Sequence, residues 1–394
     1  MNLLALTTWH PYPPDNGARI RAWNLLTRLA ERHSVRVVAG RQPDAPTSVP
    51  PEVSGRFESF QAVDWAWHQG GRKGGKLGDL RALLSPTPRS IAETPNPALV
   101  EVIDAELSRR PDLMLVLQMG MDAYLPALPP NVPAVLEEAE ITLWDQAAAC
   151  GGVRSKLTRD KAYAYWKRRL ARYQAVTVVS EAEATAVRAL LGGNVPPVSV
   201  VPNGVDLDAL TLNRKPEPAT LLYNGSVTYG PNKDAVRWFV EEILPRVQKS
   251  VPEAKLVVTG KVPDDCRDLA QVPGVCLTGY LDSLDDVLST ATVCVVPLRA
   301  GGGTRLKILE AWASGVPVVS TSVGAAGLDG ARDGIHLVLA EDAESFASQT
   351  VALLREPSRC QVISDAGRAL AREQYGWDAL VGRLETVLSE AVTR

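Results

Sequence analysis

The chain has 394 residues, of which 45% are hydrophobic and 22% are charged, and its formal net charge is −3. This length exceeds one ordinary hydrophobic core and predicts two domains of about 200 residues each. The acidic balance argues against a dedicated nucleic-acid binder, which normally carries a basic excess, and no apolar run is long enough to predict a transmembrane helix.

The cysteines indicate a reducing compartment. Their number is odd, and no two of them form a CxxC pair; they are Cys150, Cys266, Cys276, Cys294 and Cys360. Reduced structural cysteines fit this pattern best, so the sequence predicts a cytoplasmic protein. The N-terminal segment MNLLALTTWHPYPPD has no basic residue before its short apolar run. We interpret it as a first strand and not as a signal peptide.

Short apolar runs alternate with helical patterns along almost the whole chain. Runs that are apolar at consecutive positions indicate strands covered on both faces, as in parallel sheets flanked by helices. The first series of predicted strands lies at residues 3–6, 35–38, 113–117, 134–136, 176–179 and 198–201, and the second at 220–223, 256–258, 293–296, 316–319 and 336–339. The two series predict an α/β protein with two Rossmann-like domains.

The turn sequence Pro202-Asn203-Gly204 separates the two series of strands. It is a strong turn signal and predicts a domain boundary, with residues 1–203 before it and residues 204–376 after it. Within the first domain, residues 65–80 are rich in glycine and lysine without periodicity and predict a mobile surface loop. In the second domain, Pro245 is expected to kink or end the helix predicted at 232–247.

The loop after the first predicted strand carries polar residues at the edge where α/β proteins bind ligands. It has the sequence TWHPYPPDNGARIR, and Gly17 opens the following helix, which could reflect helix-entry geometry alone. Arg19 and Arg21 could contact a phosphate or an acceptor, or they could lie in solvent. His10 could act as a base, or it could only pack and donate a hydrogen bond.

A basic segment follows in the second half of the first domain. Residues 153–172 contain eight basic residues and one acidic residue, with apolar and aromatic residues between them. A basic amphipathic helix can dock on an anionic membrane surface, so peripheral membrane contact is one interpretation. The other is a helix whose basic face is solvated and whose Trp166 and Leu170 pack in the core. Nucleic-acid binding is less expected than either.

The segment PLRAGGGTRLKILEAWASGVPVVSTSVGAAGL carries the strongest functional signal in the chain. A buried-strand pattern leads into three glycines and a helix predicted at 304–313, so backbone N–H groups and a helix N-terminus can approach an anion. Arg305 and Lys307 lie in the first helical turn, where two cations are favourable only if an anion offsets them. The segment predicts a diphosphate site, and Glu310 could reach ribose hydroxyls. The alternative is a solvated helix start after a flexible loop.

Several motifs together resemble those of the retaining glycosyltransferases of family 4, which have the GT-B fold. The motifs are PYPPDNGARIRAWNLLTRLAERHSVRVV, VTVVSEAEA with VSVVPNGVD, YNGSVTYGPNKDAVRWFVEEILPRV, AKLVVTGKVP, and GGGTRLKILEAWASGVPVVSTSVGAAGL. The last three resemble the bacterial cell-surface branch of the family. The resemblance covers nearly the whole chain. It implies two facing Rossmann-like domains with parallel sheets and an interdomain cleft, and a final helix at 377–394 that crosses back onto the N-terminal domain.

The resemblance implies transfer of a sugar from a UDP- or GDP-sugar to a saccharide, lipid-linked or small-molecule hydroxyl acceptor, with retention of anomeric configuration. It implies that the C-terminal domain binds the donor and the N-terminal domain the acceptor. Positioning and stabilisation of the departing diphosphate by Arg305, Lys307 and loop N–H groups would suffice, so neither a metal nor another cofactor is expected. A catalytically silent nucleotide-sugar-binding partner subunit and a nucleotide-sugar epimerase are the alternative functions.

The resemblance also implies roles for individual residues on the donor side. Glu310 matches the second of two family glutamates, the one that holds the donor ribose, whereas the first would fall at Gly302 and is therefore absent. Ser226 stands where an arginine is usual, and Lys233 is a displaced candidate for the partner lysine, so the charge-neutralising role moves to Arg305 and Lys307. The predicted donor-binding residues are Gly17, Gly225, Ser226, Gly302, Gly303, Thr304 and Glu310.

On the acceptor side, the strand predicted at 134–136 leads into a run of acidic residues. Relatives often show an acidic residue followed by histidine in this region, and Ala139 occupies the position where that histidine would stand. The predicted acceptor-side residues are His10, Arg19, Glu138 and Glu140.

Overall fold

A computed structural model describes residues 1–43, 45–46, 49–64, 96–125, 129, 131–149, 152–193, 196–207, 214–301 and 305–394. These residues form two compact units, one made of Met1–Pro202 with Leu380–Arg394 and the other of Asn203–Ala379. The predicted loop at 65–80 lies outside the described residues, as do Cys150, Gly302, Gly303 and Thr304.

The first unit contains a parallel sheet. Its seven strands lie in the order β3-β2-β1-β4-β5-β6-β7, and β4 is buried at all five positions, which explains its continuous apolar sequence LMLVL. The strand order reverses between β1 and β4, so ligands are expected at the carboxyl ends of these strands. The strands are β1 (Asn2–Thr7), β2 (Ser34–Arg41), β3 (Ser59–Asp64), β4 (Leu113–Leu117), β5 (Ala134–Glu137), β6 (Ala175–Val178) and β7 (Val198–Val200).

Helices cover this sheet, and side-chain caps fix where several of them begin. Asn16 accepts a hydrogen bond from the backbone N–H of Arg19, and Ser180 accepts one from Glu183, so each caps the helix that follows it. A 3₁₀ segment follows β4 at Met119–Tyr124. The helices are α1 (Gly17–Ala30), α2 (Pro51–Ser54), α3 (Pro97–Ser108), α4 (Thr142–Ala149), α5 (Val153–Leu170) and α6 (Glu181–Leu191).

The second unit contains a six-stranded parallel sheet in the order β10-β9-β8-β11-β12-β13. Its strands are β8 (Thr220–Tyr223), β9 (Lys255–Thr259), β10 (Val275–Gly279), β11 (Val293–Val296), β12 (Val318–Ser320) and β13 (Val338–Leu339). Both sheets are parallel, which confirms the predicted α/β class. The strands β3 and β10 were not predicted. They lie at sheet edges and are only partly buried; Gln61 interrupts the apolar residues of β3, and the apolar run of β10 is only three residues long.

The helices of the second unit flank this sheet. They are α7 (Gly230–Trp238), α8 (Leu244–Ser250), α9 (Asp285–Thr290), α10 (Leu306–Ala313), α11 (Ser322–Ala325), α12 (Ala343–Arg355), α13 (Pro357–Gln374) and α14 (Trp377–Thr393), with a 3₁₀ segment at Asp264–Gln271. Most of α14 belongs to the first unit, where Glu385 pairs with Arg32 at 2.6 Å and contacts the His33 ring at 3.0 Å.

The helix containing Pro245 does not end at the proline. A proline inside a helix lacks an N–H group, and its ring clashes with the carbonyl four residues earlier. Here a π-helical segment, Phe239–Ile243, widens the turn directly before the proline, and the helix continues as α8. The expectation that Pro245 ends the helix is therefore wrong.

The basic helix α5 packs its aromatic and apolar residues inward. Trp166 and Leu170 are 3% and 0% exposed and belong to the core of the first unit, whereas Leu157 is 47% exposed. This arrangement matches the packed-helix interpretation, because the side chains that would enter a membrane are already used in the core. Within the described residues, no helix is both long enough and apolar enough to cross a membrane.

Gly367 in α13 leaves room for the side chain of Trp312. A Cβ atom at this position would lie 2.5 Å from Trp312 Cδ1, and Trp312 is fully buried in α10. We expect Gly367→Ala to lower the unfolding free energy of the protein by about 1–3 kcal/mol through overpacking. Thermal and urea-induced unfolding followed by circular dichroism measure the change.

Gly382→Ala is the control, because Gly382 also lies in a helix but a Cβ atom there would meet nothing within 4 Å. Alanine favours the helix over glycine, so this variant should be more stable than wild type by about 0.5–1 kcal/mol. Equal effects of the two substitutions would show that Trp312 does not require a glycine against it.

Candidate functional site

The helix α10 begins two residues later than predicted. Arg305 has φ −85° and ψ 84°, which is not helical, and it is the N-cap residue of the helix that starts at Leu306. Lys307 is therefore the second helical residue. The two cations contact different parts of the unit. Arg305 donates to the carbonyl oxygens of Gly301 at 2.6 Å and Val323 at 3.1 Å, so it joins the loop before α10 to α11.

The ammonium group of Lys307 is held at the carboxyl end of β8. It donates to the Tyr223 hydroxyl at 3.1 Å and to Asn232 Oδ1 at 3.0 Å, and it lies 4.6 Å from the centroid of the Tyr223 ring. The Tyr223 hydroxyl in turn donates to Asn232 Oδ1 at 2.8 Å. These neutral partners fix the position of the ammonium while leaving its charge unneutralised.

In the described part of the chain, no carboxylate lies within ion-pair distance of Lys307. Burial, together with the nearby Arg305 guanidinium, lowers the pKa of Lys307 to about 8, although the charges of Cys294 and Glu310 act in the opposite direction. An ammonium can donate three hydrogen bonds, and the described contacts use two of them. Lys307 is partly exposed as a residue, and a buried ammonium without a carboxylate partner is stabilised by a neighbouring anion.

The loop after β8 brings backbone next to this ammonium. Gly225 has φ +141°, a conformation that favours glycine, and a Cβ atom built on it would lie 3.3 Å from Lys307 Nζ. Asn232 Nδ2 donates to the Ser226 carbonyl at 2.8 Å, which ties the loop to α7. The Ser226 hydroxyl contacts Thr228 Oγ1 at 2.7 Å, so the residue that replaces the family arginine braces the loop locally.

Glu310 lies one turn further along α10 and belongs to a second polar group. The Asn224 side chain donates to one carboxylate oxygen of Glu310 and accepts a weak hydrogen bond from the Cys294 thiol at 3.9 Å. Burial raises the pKa of Glu310 to about 7, although Lys307 and the Asn224 amide act in the opposite direction. Glu310 is partly exposed as a residue.

The predicted donor residues are thus distributed unevenly. Gly225, Lys307 and Glu310 come together at the carboxyl edge of the second sheet, whereas Gly17 is the exposed first residue of α1 in the first unit. Lys233 pairs with Asp265 on an exposed surface of the second unit. Lys233 is displaced from the family lysine position in the sequence, and in the structure its ammonium pairs with Asp265 and not with the groups around Lys307.

The first unit buries the predicted polar residues of its N-terminal loop. His10 is fully buried; its Nδ1 contacts the Tyr12 carbonyl and its ring packs edge-on against Phe60 at 5.4 Å. Burial lowers the pKa of His10. Arg19 is 1% exposed and pairs with Asp15 at 3.0 Å. The interpretation of Arg19 as a solvated side chain is therefore wrong.

Arg21 is also buried, and the interpretation of it as a solvated side chain is wrong as well. It forms an ion pair with the fully buried Glu137 and donates to the carbonyls of Pro202 and Val201, at 2.8 and 2.7 Å. The paired carboxylate lies 116 residues further along the chain, so nothing local to Arg21 signals this contact.

The acidic run after β5 is held inside the unit. Glu138 has a left-handed backbone, with φ +64°, and its carboxyl lies 4.0 Å from Arg21. Burial raises the pKa of Glu138 well above its usual range, and the Arg21 charge offsets part of that effect. Burial also raises the pKa of Glu140, and the neighbouring Glu183 adds to it. Ala139 is fully buried, so no side chain projects from the position of the family histidine.

Sequence reasoning missed Tyr223, Asn224 and Asn232. Tyr223 and Asn224 stand where a fully buried strand ends, and such positions at the carboxyl edge of a parallel sheet bind ligands, so a signal was available. Asn232 acts through a contact with a residue 75 positions away, which the sequence alone does not show. Among the described residues, no three His, Cys, Asp or Glu side chains are grouped as metal ligands.

Two family models match the chain and together cover most of it. Residues 16–204 match the glycosyl transferase 4-like domain, and residues 218–356 match the glycosyl transferases group 1 domain. The chain belongs to the family 4-type glycosyltransferases of the GT-B fold. The predicted family is therefore confirmed.

Relatives and solved structures agree with this family. A GDP-mannose-dependent monoacylated alpha-(1-6)-phosphatidylinositol monomannoside mannosyltransferase of Corynebacterium glutamicum is 29% identical over 158 residues, 37% of this chain and 41% of that one. The chain spans about two fifths of the length of the first curated relatives it matches.

Two solved structures resemble the chain over its whole length. Anabaena HepE in complex with UDP and glucose superposes with a TM-score of 0.68 at 14% identity, covering 99% of both chains. A sucrose-phosphate synthase from Thermosynechococcus elongatus superposes with a TM-score of 0.71 at 18% identity, again over 99% of both chains. At these identities the likeness establishes the shared fold, and the predicted GT-B architecture is confirmed at that level.

The raised pKa of Glu310 predicts how the stability of the protein changes with pH. The folded state keeps a proton on Glu310 that the unfolded chain releases near its ordinary pKa of 4.5, so this contribution to stability is lost as pH rises from 4.5 to about 7. We expect Glu310→Gln to reduce the fall in unfolding free energy over that pH range by about 1–3 kcal/mol. Urea-induced unfolding of the ligand-free protein between pH 5 and 8 measures the change.

Glu241→Gln is the control, because Glu241 is an exposed carboxyl of the same unit. This variant should follow the pH dependence of wild type throughout. A Glu310→Gln curve parallel to that of wild type would contradict the assignment of a retained proton to Glu310.

Proposed function

We propose that the chain transfers a sugar from a nucleotide-diphosphate sugar, a UDP- or GDP-sugar, to a hydroxyl group of a saccharide, lipid-linked or small-molecule acceptor. We propose in addition that the anomeric configuration is retained and that no metal or other cofactor is required. The donor binds at the carboxyl edge of the second sheet, at the cluster formed by Gly225, Lys307 and Glu310.

The observation that carries this proposal is the unneutralised ammonium of Lys307. It is held by neutral groups beside a glycine whose backbone allows close approach, and α10 starts one residue before it. Backbone N–H groups at a helix start and a fixed cation together favour a phosphate group. Glu310 lies on the same helix and, when ionised, can accept hydrogen bonds from the ribose hydroxyls.

The names of related proteins support the donor class. The Corynebacterium relative is named as a GDP-mannose-dependent transferase, and the Anabaena structure holds UDP and glucose. Both names describe a nucleotide diphosphate, which is the ligand that the charge at Lys307 favours. They leave both UDP and GDP as donor nucleotides for this chain.

In the proposed reaction, the bond between the anomeric carbon and the phosphate oxygen breaks, and a bond from the acceptor oxygen to that carbon forms on the same face. The acceptor proton passes to the departing phosphate oxygen, so atoms and charges balance. Lys307 stabilises the negative charge that develops on the diphosphate, which is the charge a metal would otherwise offset. Arg305 holds the loop before α10 in place through the carbonyls of Gly301 and Val323.

A peripheral membrane contact, if the acceptor is lipid-linked, would rest on the charge of α5 and not on its apolar residues. Trp166 and Leu170 are buried in the core, whereas the basic side chains of Lys156 and Lys167 are exposed. Such a contact would be electrostatic and would weaken with salt.

Lys307→Met tests the donor site. The substitution removes the cation and keeps an unbranched apolar chain, so we expect turnover to fall by about a hundredfold or more, because stabilisation of the departing diphosphate is lost. The measurement is release of nucleoside diphosphate from UDP-, GDP- and ADP-sugars, each assayed with and without a chelator. The proposal expects wild-type activity to be the same in both conditions.

Lys233→Met is the matched control. Lys233 is a lysine of the same unit that pairs with Asp265 on the surface, and exposed ion pairs contribute little, so turnover should stay within about twofold of wild type. Equal losses in the two variants, or full activity in Lys307→Met, would rule out Lys307 as the group that stabilises the diphosphate.

A further inference from the structure

A cavity lies at the amino edge of the second sheet, opposite the edge that carries the candidate donor site. Its volume is about 490 Å³, which is within the usual range for small-molecule sites. Ala219, Thr292 and Pro317 line it, and they directly precede β8, β11 and β12. Because Tyr223 ends β8 and each strand residue spans about 3.3 Å, the cavity lies roughly 10 Å or more from the groups around Lys307.

Arg214 lines this cavity and brings a guanidinium with neutral partners to it. The guanidinium donates to the backbone carbonyls of Gly315 and Ala291, which uses two of its five N–H groups. Among the residues that the structure describes, no carboxylate lies within ion-pair distance of it. Burial lowers the pKa of Arg214, although the nearby Cys360 acts in the opposite direction. A cation in this situation is stabilised by an anion.

The charges around the cavity favour a ligand with a single negative charge. The charged side chains that line it are those of Arg214, Arg355 and Glu253. Arg355 donates to the Ser250 carbonyl at 2.5 Å, and Glu253 is exposed. Two arginines and one carboxylate leave one positive charge in excess, which a monoanion offsets and a phosphate dianion would exceed.

Much of the cavity wall is apolar. Leu353 and Leu354 of α12 line it, as do Val251 and Ala219. Several prolines complete this part of the wall, and a proline has no N–H group to donate; they are Pro216, Pro218, Pro317 and Pro357. A ligand that fits beside such a wall therefore has an apolar body.

Three polar side chains of the wall already donate within the protein. Thr292 donates to the Glu217 carbonyl at 2.7 Å, and Gln361 donates to Asp365 at 2.8 Å. The Ser364 hydroxyl donates to the Gln361 carbonyl at 3.1 Å. A polyhydroxylated ligand needs several free donors and acceptors, so these contacts disfavour a sugar at this cavity.

We propose that this cavity binds a small organic carboxylate. The carboxylate pairs with the guanidinium of Arg214 through charge-assisted hydrogen bonds, and an aliphatic or aromatic body lies against the apolar wall formed by Leu353 and Leu354. This site is separate from the donor site and does not depend on the proposed function.

The test uses the full chain with 3-phenylpropionate and hexanoate, each compared with its neutral amide. Binding is measured near neutral pH by titration with ligand-observed saturation-transfer NMR. We expect wild type to bind at least one carboxylate about tenfold more tightly than its amide, because only the acid forms charge-assisted hydrogen bonds with Arg214. Arg214→Met should bind the acid and the amide equally.

A second variant leaves Arg214 and its contacts with Gly315 and Ala291 in place. Gln361→Glu adds a negative charge to the cavity wall with little change of shape, so it should weaken binding of the carboxylate about threefold or more and leave the amide unaffected. Gln374→Glu is the matched control, because Gln374 is the last residue of α13 and lies about 20 Å further along that helix. It should leave the affinity for both compounds unchanged.

Lys307→Met separates this cavity from the donor site. Its affinity for the carboxylate should equal that of wild type, whereas a loss of affinity would place the carboxylate at the donor site and overturn the proposal. The absence of binding by either carboxylate, or equal affinity of wild type for acid and amide, would also overturn it. So would an affinity for the acid that neither Arg214→Met nor Gln361→Glu lowers.

Discussion

The candidate donor site of the second unit depends on one constraint, which is an ammonium that pairs with no carboxylate among the described residues. Lys307 contacts the hydroxyl and ring face of Tyr223 and the amide oxygen of Asn232, and all of these partners are neutral. A buried carboxylate would fix the lysine equally well, but it would cancel the charge. Neutral partners leave the charge of Lys307 available, although burial without a carboxylate partner lowers its pKa.

Other elements of the unit fix the positions of Lys307 and of the groups that bind it. Tyr223 ends the buried strand β8, and Asn232 in α7 also binds the Ser226 carbonyl, so a single amide fixes both the lysine and the glycine loop. The helix α10 is anchored by the buried ring of Trp312, against which α13 places a glycine. The polar site therefore rests on packing that has no chemical role itself.

Much of the fold could be predicted because buried parallel strands leave a continuous apolar signature. The segments LMLVL of β4, TLLY of β8 and VCVV of β11 occupy the predicted positions. The edge strands β7 and β13 were predicted, whereas β3 and β10 were missed: Gln61 interrupts the apolar residues of β3, and the apolar run of β10 is only three residues long. The start of α10 was predicted two residues early, since propensity alone does not show that Arg305 adopts a non-helical backbone.

The site was less predictable because its contacts join distant parts of the chain. The pattern of glycines and cations correctly marked α10 as charged at its start, but it did not distinguish Arg305, which binds backbone carbonyls, from Lys307, which does not. Likewise, the sequence left Arg21 either as a phosphate or acceptor contact or as a solvated side chain, whereas it pairs with Glu137 at the end of β5. Long-range pairing, and not local pattern, decides which charges are available to a ligand.

The two units offer different chemistry at the carboxyl edges of their sheets. The second presents a cation and a glycine loop, which suit a diphosphate, and the first presents the carboxyls of Glu137 and Glu138 around the buried Arg21. The central claim is that the donor nucleotide binds at Lys307. Hydrogen–deuterium exchange with and without UDP or GDP tests it most directly, because it locates the bound region. The account predicts slower exchange at residues 223–232 and 305–310 in the presence of the nucleotide that binds. Saturating nucleotide that slows exchange elsewhere and leaves both segments unchanged would contradict it.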